Sequence, residues 1–163
     1  MVTVLGQFGD KGIEARAGLE DLAMAMTRGT GAMPLDAAKA MWDVASAGFT
    51  EMADLAYVSE AAIALSNASL ESLASTTILT TSIIRQYSLD TSEAARVVNA
   101  LAAASVASTT DIRKLMESMK YAGPVAAGFG LSLEETLAIL GVFANQGILA
   151  SNAGTALRAV FAA

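Results

Sequence analysis

The chain is cut into short pieces by its own helix-start signals, and this punctuation limits the fold more than any other feature. A helix begins readily where Ser, Thr, Asp or Asn can cap it and acids fill the first turn, facing the positive end of the helix dipole. Such signals recur at Gly18-Leu19-Glu20-Asp21, Pro34-Leu35-Asp36, Thr50-Glu51, Ser69-Leu70-Glu71, Asp90-Thr91-Ser92-Glu93, Thr110-Asp111, Ser132-Leu133-Glu134-Glu135 and Ser151-Asn152. Pro34 suits a first helical position, and the Asp90 and Ser132 segments have capping-box spacing. Stops fall between the starts, at Arg28-Gly29, Ala47-Gly48, Arg85-Gln86-Tyr87 and Asn145-Gln146-Gly147. The pattern predicts helices over 18–28, 35–47, 50–66, 70–86, 91–105, 110–121, 133–145 and 151–161. Residues 122–130, AGPVAAGFG, read as a Gly- and Pro-punctuated connector.

Composition points the same way. Apolar residues make up 54 % of the chain, much of it alanine, while aromatics are 6 %. Alanine loses no side-chain entropy in a helix and is the best helix former. Apolar spacing agrees: Ala94, Val97, Val98 and Leu101 share one helical face, as do Ile112, Leu115, Met116 and Met119. In 133–145, Leu133, Leu137, Leu140 and Ala144 form a stripe that Ile139 and Phe143 widen. A stripe that wide implies burial against more than one neighbour.

A weak internal repeat is also present. Leu70-Glu71-Ser72-Leu73 precedes Leu89 by 19 residues, and Ile112-Arg113-Lys114-Leu115 precedes Leu131 by the same interval, 42 residues further on. Each unit is a helix pair, and repeated pairs stack so that neighbours bury each other's faces. The expected fold is therefore all-α, an array of about eight short antiparallel helices in pairs of about 42 residues, with no sheet. Residues 1–17 are expected to form a poorly ordered or partly helical tail, and 18–163 the helical domain. The last residues, from Arg158 onward, carry no helix stop, so the domain reads as truncated at its C-terminus.

Several chemistries are disfavoured by what the chain lacks. It has no cysteine and no histidine, which removes disulfides, thiol catalysis, most zinc sites and His-dependent triads. The absence of cysteine fits a reducing cytoplasm. The net charge is −6, and its basic residues are scattered singly, so direct nucleic-acid binding is not expected. The adjacent acids Glu20/Asp21 and Glu134/Glu135 suit helix starts better than acid–base chemistry, which needs carboxylates held across a cleft. Gly128, Gly130 and Gly141 lack phosphate-loop spacing, and the methionines read as core filler. No catalytic, cofactor or metal residue is assigned, and an enzyme such as a cell-wall hydrolase finds no support here. The opening MVTVLGQFGDKG lacks the basic start and long apolar core of a signal peptide. Thr136 to Leu157 is uncharged and long enough to span a bilayer. Asn145, Gln146, Ser151, Asn152 and Thr155 interrupt it, which favours two core helices joined by a turn.

The most specific stretch runs from Met119 to Phe161, MKYAGPVAAGFGLSLEETLAILGVFANQGILASNAGTALRAVF. It resembles the signature of the phage and prophage tail tape-measure family. Lys120, Tyr121, Ala122, Gly123 and Pro124 match the opening of that signature. Gly130, Ser132, Glu134 and Glu135 match its helix start, and Ala144, Asn145, Gly147 and Ile148 its turn. Ser151, Ala153, Gly154, Thr155, Ala156, Leu157 and Arg158 match the final helix. Phe143 stands where a leucine is usual, and Leu149-Ala150 where a more polar or Gly-containing pair is common. The same residues have a purely structural reading. Gly147 ends one helix in a left-handed conformation. Ser151 or Asn152 caps the next, and Gly154 with Ala156 keeps it slim enough to pack on 133–145.

The resemblance implies a non-enzymatic ruler that sets tail length while tail-tube subunits polymerise around it, and that leaves during DNA delivery. It implies tail-tube subunits, assembly chaperones, tail-tip proteins and the chain itself as partners, and no cofactor. The location implied is the tail interior of the virion, after the host cytoplasm during assembly. A membrane-active helical module that helps genome ejection, with host membrane contact, is the alternative. As one straight helix the chain would reach only on the order of 250 Å, and its caps fold it back. The extended ruler is therefore expected in sequence other than this.

Overall fold

Capping cuts the chain much as the sequence dictates. The structure, a computed structural model, describes the backbone of residues 10–162 and the side chains of residues 16–161. Eight α-helices follow in order: α1 (Asp10–Thr30), α2 (Pro34–Ser46), α3 (Met52–Ser69), α4 (Leu73–Gln86), α5 (Ala94–Ala107), α6 (Ile112–Gly128), α7 (Leu133–Asn145) and α8 (Ala150–Ala162). A single 3-10 turn, Thr91–Glu93, leads into α5. Among the described residues there is no strand. The Ser72 hydroxyl accepts from the Ser75 N–H, Asp90 from the Ser92 N–H and Asp111 from the Lys114 N–H. Ser132 and Glu135 form the reciprocal capping box that their spacing predicts. Most of the expected 1–17 tail, residues 1–9, lies outside the described residues; residues 10–17 are the first turns of α1.

Three boundaries differ from the sequence reading. Gly18-Leu19-Glu20-Asp21 does not start a helix but lies inside α1, where Leu19, Ala23 and Met26 form a continuous buried stripe. Glu20 serves an Arg16 ion pair at 2.8 Å there, one turn away. Ser69-Leu70-Glu71 ends a helix instead of opening one. The Ser69 hydroxyl donates back to the Leu65 carbonyl at 2.6 Å, and Leu70 turns left-handed at φ 60°. Finally, 122–130 is not a connector, because α6 runs through Pro124 to Gly128. Proline removes one helix hydrogen bond. That cost is offset because Ala122, Gly123 and Ala126 on the same segment are buried against neighbouring helices.

Every substantial helix contact joins helices one or two places apart in the chain. The helices therefore form two rows, α1-α3-α5-α7 and α2-α4-α6-α8, that lean on each other. Members of one row run the same way. Arg96 reaches Glu134 and Thr109 reaches Asn145, so α5 and α7 advance together. The core lies between the rows, built from Met41, Leu55, Ile63, Ile83, Leu101, Leu115, Leu137 and Leu140. The caps Asp90 and Ser132 stand 42 residues apart, so α4–α5 and α6–α7 repeat as helix pairs. The rows are not uniform in chemistry. On α4, Thr76 donates across to the Ala62 carbonyl of α3 at 2.9 Å, and Thr80 and Thr81 donate back into their own helix.

Candidate functional site

The residues of the 119–161 stretch come together as three helices, α6, α7 and α8, and their closest meeting is between α6 and α8. A methyl group built on Gly154 would strike the Ser118 carbonyl oxygen and lie 3.0 Å from Tyr121 Cβ. The glycine therefore lets two helix backbones touch. Ser118 strengthens this seam, for its hydroxyl donates to the Ala150 carbonyl at 2.7 Å. Ala150 holds a left-handed φ of 53° at that point. Beyond it, Leu157 is buried, and the seam closes on a stacked pair, Phe129 and Phe161, with ring centroids 4.9 Å apart. The slim face of α8 thus meets α6, not 133–145 as the sequence reading has it. The reason is that α8 runs beside α6 in the same row, while α7 meets α8 across a 119° bend.

The remaining motif residues hold the ends of this unit. Gly123 is buried on α6 against Gln86, while Pro124 is exposed. Gly130 and Gly147 turn the chain at φ 80° and 81°. Ser132 and Glu135 cap α7, and Glu134 pairs with Arg96 at 2.9 Å. Asn145 accepts the Thr109 N–H at 2.9 Å, while the Thr109 hydroxyl donates to the Ala144 carbonyl at 2.7 Å. Lys120, Thr155 and Arg158 lie exposed on α6 and α8, and so does Ser151, which with Asn152 stands inside α8, already begun at Ala150, and does not cap it as the sequence reading has it. Among the described residues these side chains share no cleft.

Electrostatics follow from capping. The Ser132 N–H and hydroxyl hold the Glu135 carboxyl below its ordinary value. Lys114 does the same for Asp111, and Ser92 for Asp90. Burial pushes the Tyr87 hydroxyl up, although its 2.8 Å hydrogen bond to Thr136 acts the other way. These shifts mark carboxylates that accept helix-end donors, which is a structural use. Among the described residues no group of three or more Asp and Glu could hold a metal ion.

Two apolar openings flank the unit. One, about 410 Å³, runs between α5 and α7 along Ala100, Ala104, Ala107, Leu137 and Gly141. The other, about 310 Å³, separates α4 from α6 beside Ile83, Gln86, Met116 and Met119. Gln86 Oε1 is buried there without a donor. The sequence reading missed Ser118, Tyr87 and Thr109. Ser118 carried a signal, being a small polar residue inside the Leu115, Met119, Ala122 stripe of α6. Tyr87 and Thr109 act across the chain and carried none.

A profile of known proteins described as phage-related minor tail protein matches residues 3–163. This chain belongs to that family. Within the family, it is 38 % identical over 132 residues to a tape measure protein of Pneumococcus phage Dp-1, a match that covers 76 % of the chain. The same match covers 11 % of that relative, so this minor tail chain spans about a tenth of its length. No solved structure matches it. A structural phage tail role follows from the family.

Proposed function

We propose that this chain is a folded, non-catalytic segment of a tape-measure protein, and that its work is packing. The observation that carries the reading is the α6–α8 seam. Gly154 makes the close contact there, and the other residues that match the family signature serve around it as caps, turns and core (Ser132, Glu135, Gly147, Leu157), not as a reacting cluster. Helices α1 to α8 act as one unit, inside the tail of the virion and, before that, in the host cytoplasm. Its partners are tail-tube subunits, assembly chaperones and tail-tip proteins, and the whole protein sets tail length and leaves during DNA delivery. Because the segment is folded back, it adds little to the ruler. Deleting it from the full-length protein in the source phage would shorten tails by far less than about 245 Å, the length of 163 residues as one helix. Electron microscopy of the tails measures this. A loss near the full helical length would refute the compact segment, and absence of the protein from purified tails would refute the role.

The uncharged Thr136–Leu157 stretch motivates a second reading, contact with the host membrane. No single helix among the described residues is long and apolar enough to cross a bilayer; α7 and α8 meet the length and composition only as a bent pair. Their apolar residues Leu137, Leu140, Ala153 and Leu157 are already buried against the array, which supports packing over insertion. Flotation of the purified chain with liposomes would decide: co-flotation favours the membrane reading.

A further inference from the structure

Helices α2, α4 and α6 lie side by side in one row, and the face they turn away from the other row carries a knob and a hole of matching chemistry. The knob is Trp42, the only tryptophan in the chain. It stands two residues from the fully buried Val44, so it lies about 160° round α2 from that core contact. It is left 44 % exposed. Tryptophan joins a large apolar ring to an N–H donor and is among the commonest anchors of protein interfaces. Leu35, two turns earlier on the same flank, is exposed as well.

The hole is the gap of about 310 Å³ between α4 and α6. Leu79, Ile83 and Met119 wall it and are buried, and Met116 lines it from α6. Thioethers adapt to an aromatic ring and attract it. Gln86 Oε1 is buried beside this gap without a donor, which is a costly condition. A turn of the Gln86 amide presents that oxygen to the gap, where an indole N–H can donate to it. Charges match too. Glu117 and Lys120 stand at the hole, and Lys39 and Asp43 beside the knob. None of the four forms an ion pair among the described residues. Arg85, also exposed on α4, is folded over the Phe49 ring at 5.1 Å. Knob and hole thus offer one acid and one base each, and meet without net repulsion.

We propose that a second copy of this chain docks on this face about a two-fold axis. The Trp42 of each copy enters the α4–α6 gap of the other and donates to its Gln86. One face offers both knob and hole, so the contact is isologous and closes as a dimer. The axis passes close to α4, whose Ile78, 62 % exposed, adds apolar surface there. Helices of 13, 14 and 17 residues side by side give roughly 600 Å² per copy, or about 1,200 Å² in all, the lower edge for a specific interface. The dimer is therefore weak and concentration-dependent.

Sedimentation velocity and tryptophan emission on the purified chain test this, because Trp42 reports its own burial. Wild-type mass is expected to rise with concentration and stop at the dimer, while emission moves to shorter wavelength in step. Trp42→Ala, and Ser82→Leu, which fills the gap, are each expected to be monomeric, with far-UV circular dichroism confirming their helicity. Titrating Ser82→Leu with an excess of Trp42→Ala, which has no tryptophan, should still shift the emission, because one knob finds one hole. Trp42→Phe keeps a ring without the N–H and should weaken association about tenfold; in a Gln86→Leu background the same change should weaken it by less. A wild type that is monomeric at every concentration overturns the proposal. So does a dimer whose emission stays still, a dimer that survives Trp42→Ala, growth beyond a dimer, or a mixture without a shift. A variant that loses its helicity is replaced by Trp42→Gln or Ser82→Met, judged by the same outcomes.

Discussion

The seam between α6 and α8 and the gap between α4 and α6 are the same kind of contact, two parallel helices one step apart in one row, yet they are opposites. At the seam, Gly154 brings backbones together and a serine hydroxyl ties the carbonyl of the neighbouring helix. At the gap, Met116 and Gln86 leave an opening of about 310 Å³ and one amide oxygen without a donor. The difference teaches that close packing in an alanine-rich array is set by what a glycine faces, not by how apolar the surface is. Both contacts carry a buried glycine, but Gly154 meets the backbone of α6 at the seam, whereas Gly123 meets the long Gln86 side chain at the gap.

The largest effect should come from adding bulk to the seam. Gly154→Val places a branched side chain against the Ser118 backbone, where no rotamer can relieve it, and should cost about 3 kcal/mol. Urea unfolding would read it, and a cost under about 1 kcal/mol would show that the two helices can slide apart. Relief of strain at the start of the same seam is the next test. Ala150 holds φ 53°, a conformation that costs an L residue about 1–2 kcal/mol and glycine almost nothing. Ala150→Gly should therefore raise stability by about 1 kcal/mol; no change would mean the grip of Ser118 sets the geometry without strain. Bulk added to the gap should act in the reverse sense. Ser82 of α4 lines the opening, so Ser82→Leu extends an apolar side chain into it and should stabilise by roughly 1 kcal/mol or less, as cavity filling does. If it destabilises, the gap has less room than the seam comparison requires.

The smallest effect is that of pH on the helix ends that flank both contacts. Asp90, Asp111 and Glu135 all titrate below their ordinary values in the fold. The unfolded chain then binds protons more readily than the folded one, so stability rises with pH across that range. Their contribution is complete at neutral pH and is lost as pH falls through the ordinary carboxylate range and below it. Thermal melts from pH 7 to pH 3 should show the loss, and Glu135→Gln should flatten part of it.

Much of this was legible in the chain, and the limits have physical causes. Caps are local, so Ser132 with Glu135 and Asp111 read correctly from spacing alone; Asp90 does cap, but on the Ser92 N–H, and Glu93 pairs with Arg96 instead of closing the box its spacing suggests. The α1 start misled because Glu20-Asp21 looks like a first turn, although an acid one turn from Arg16 serves an ion pair equally well. Pro124 misled because a proline normally ends a helix, yet α6 continues through it with Ala122 and Ala126 buried on either side. Gly154 was read as a slimming residue, correctly, but its partner was misassigned. Sequence order suggests the preceding helix, and the row arrangement gives the one before that. Thr109 holding Asn145 spans 36 residues and left no local trace.

The short reach of every helix contact has a consequence for how the protein is made. Contacts near in sequence close small loops at low entropic cost, so chains built from them fold fast. Here α3 has its partners once α5 has left the ribosome, and no helix waits for a distant stretch of chain. The array can therefore consolidate from its first helices onward during synthesis, and its earliest turns are protected while the later helices are still being translated.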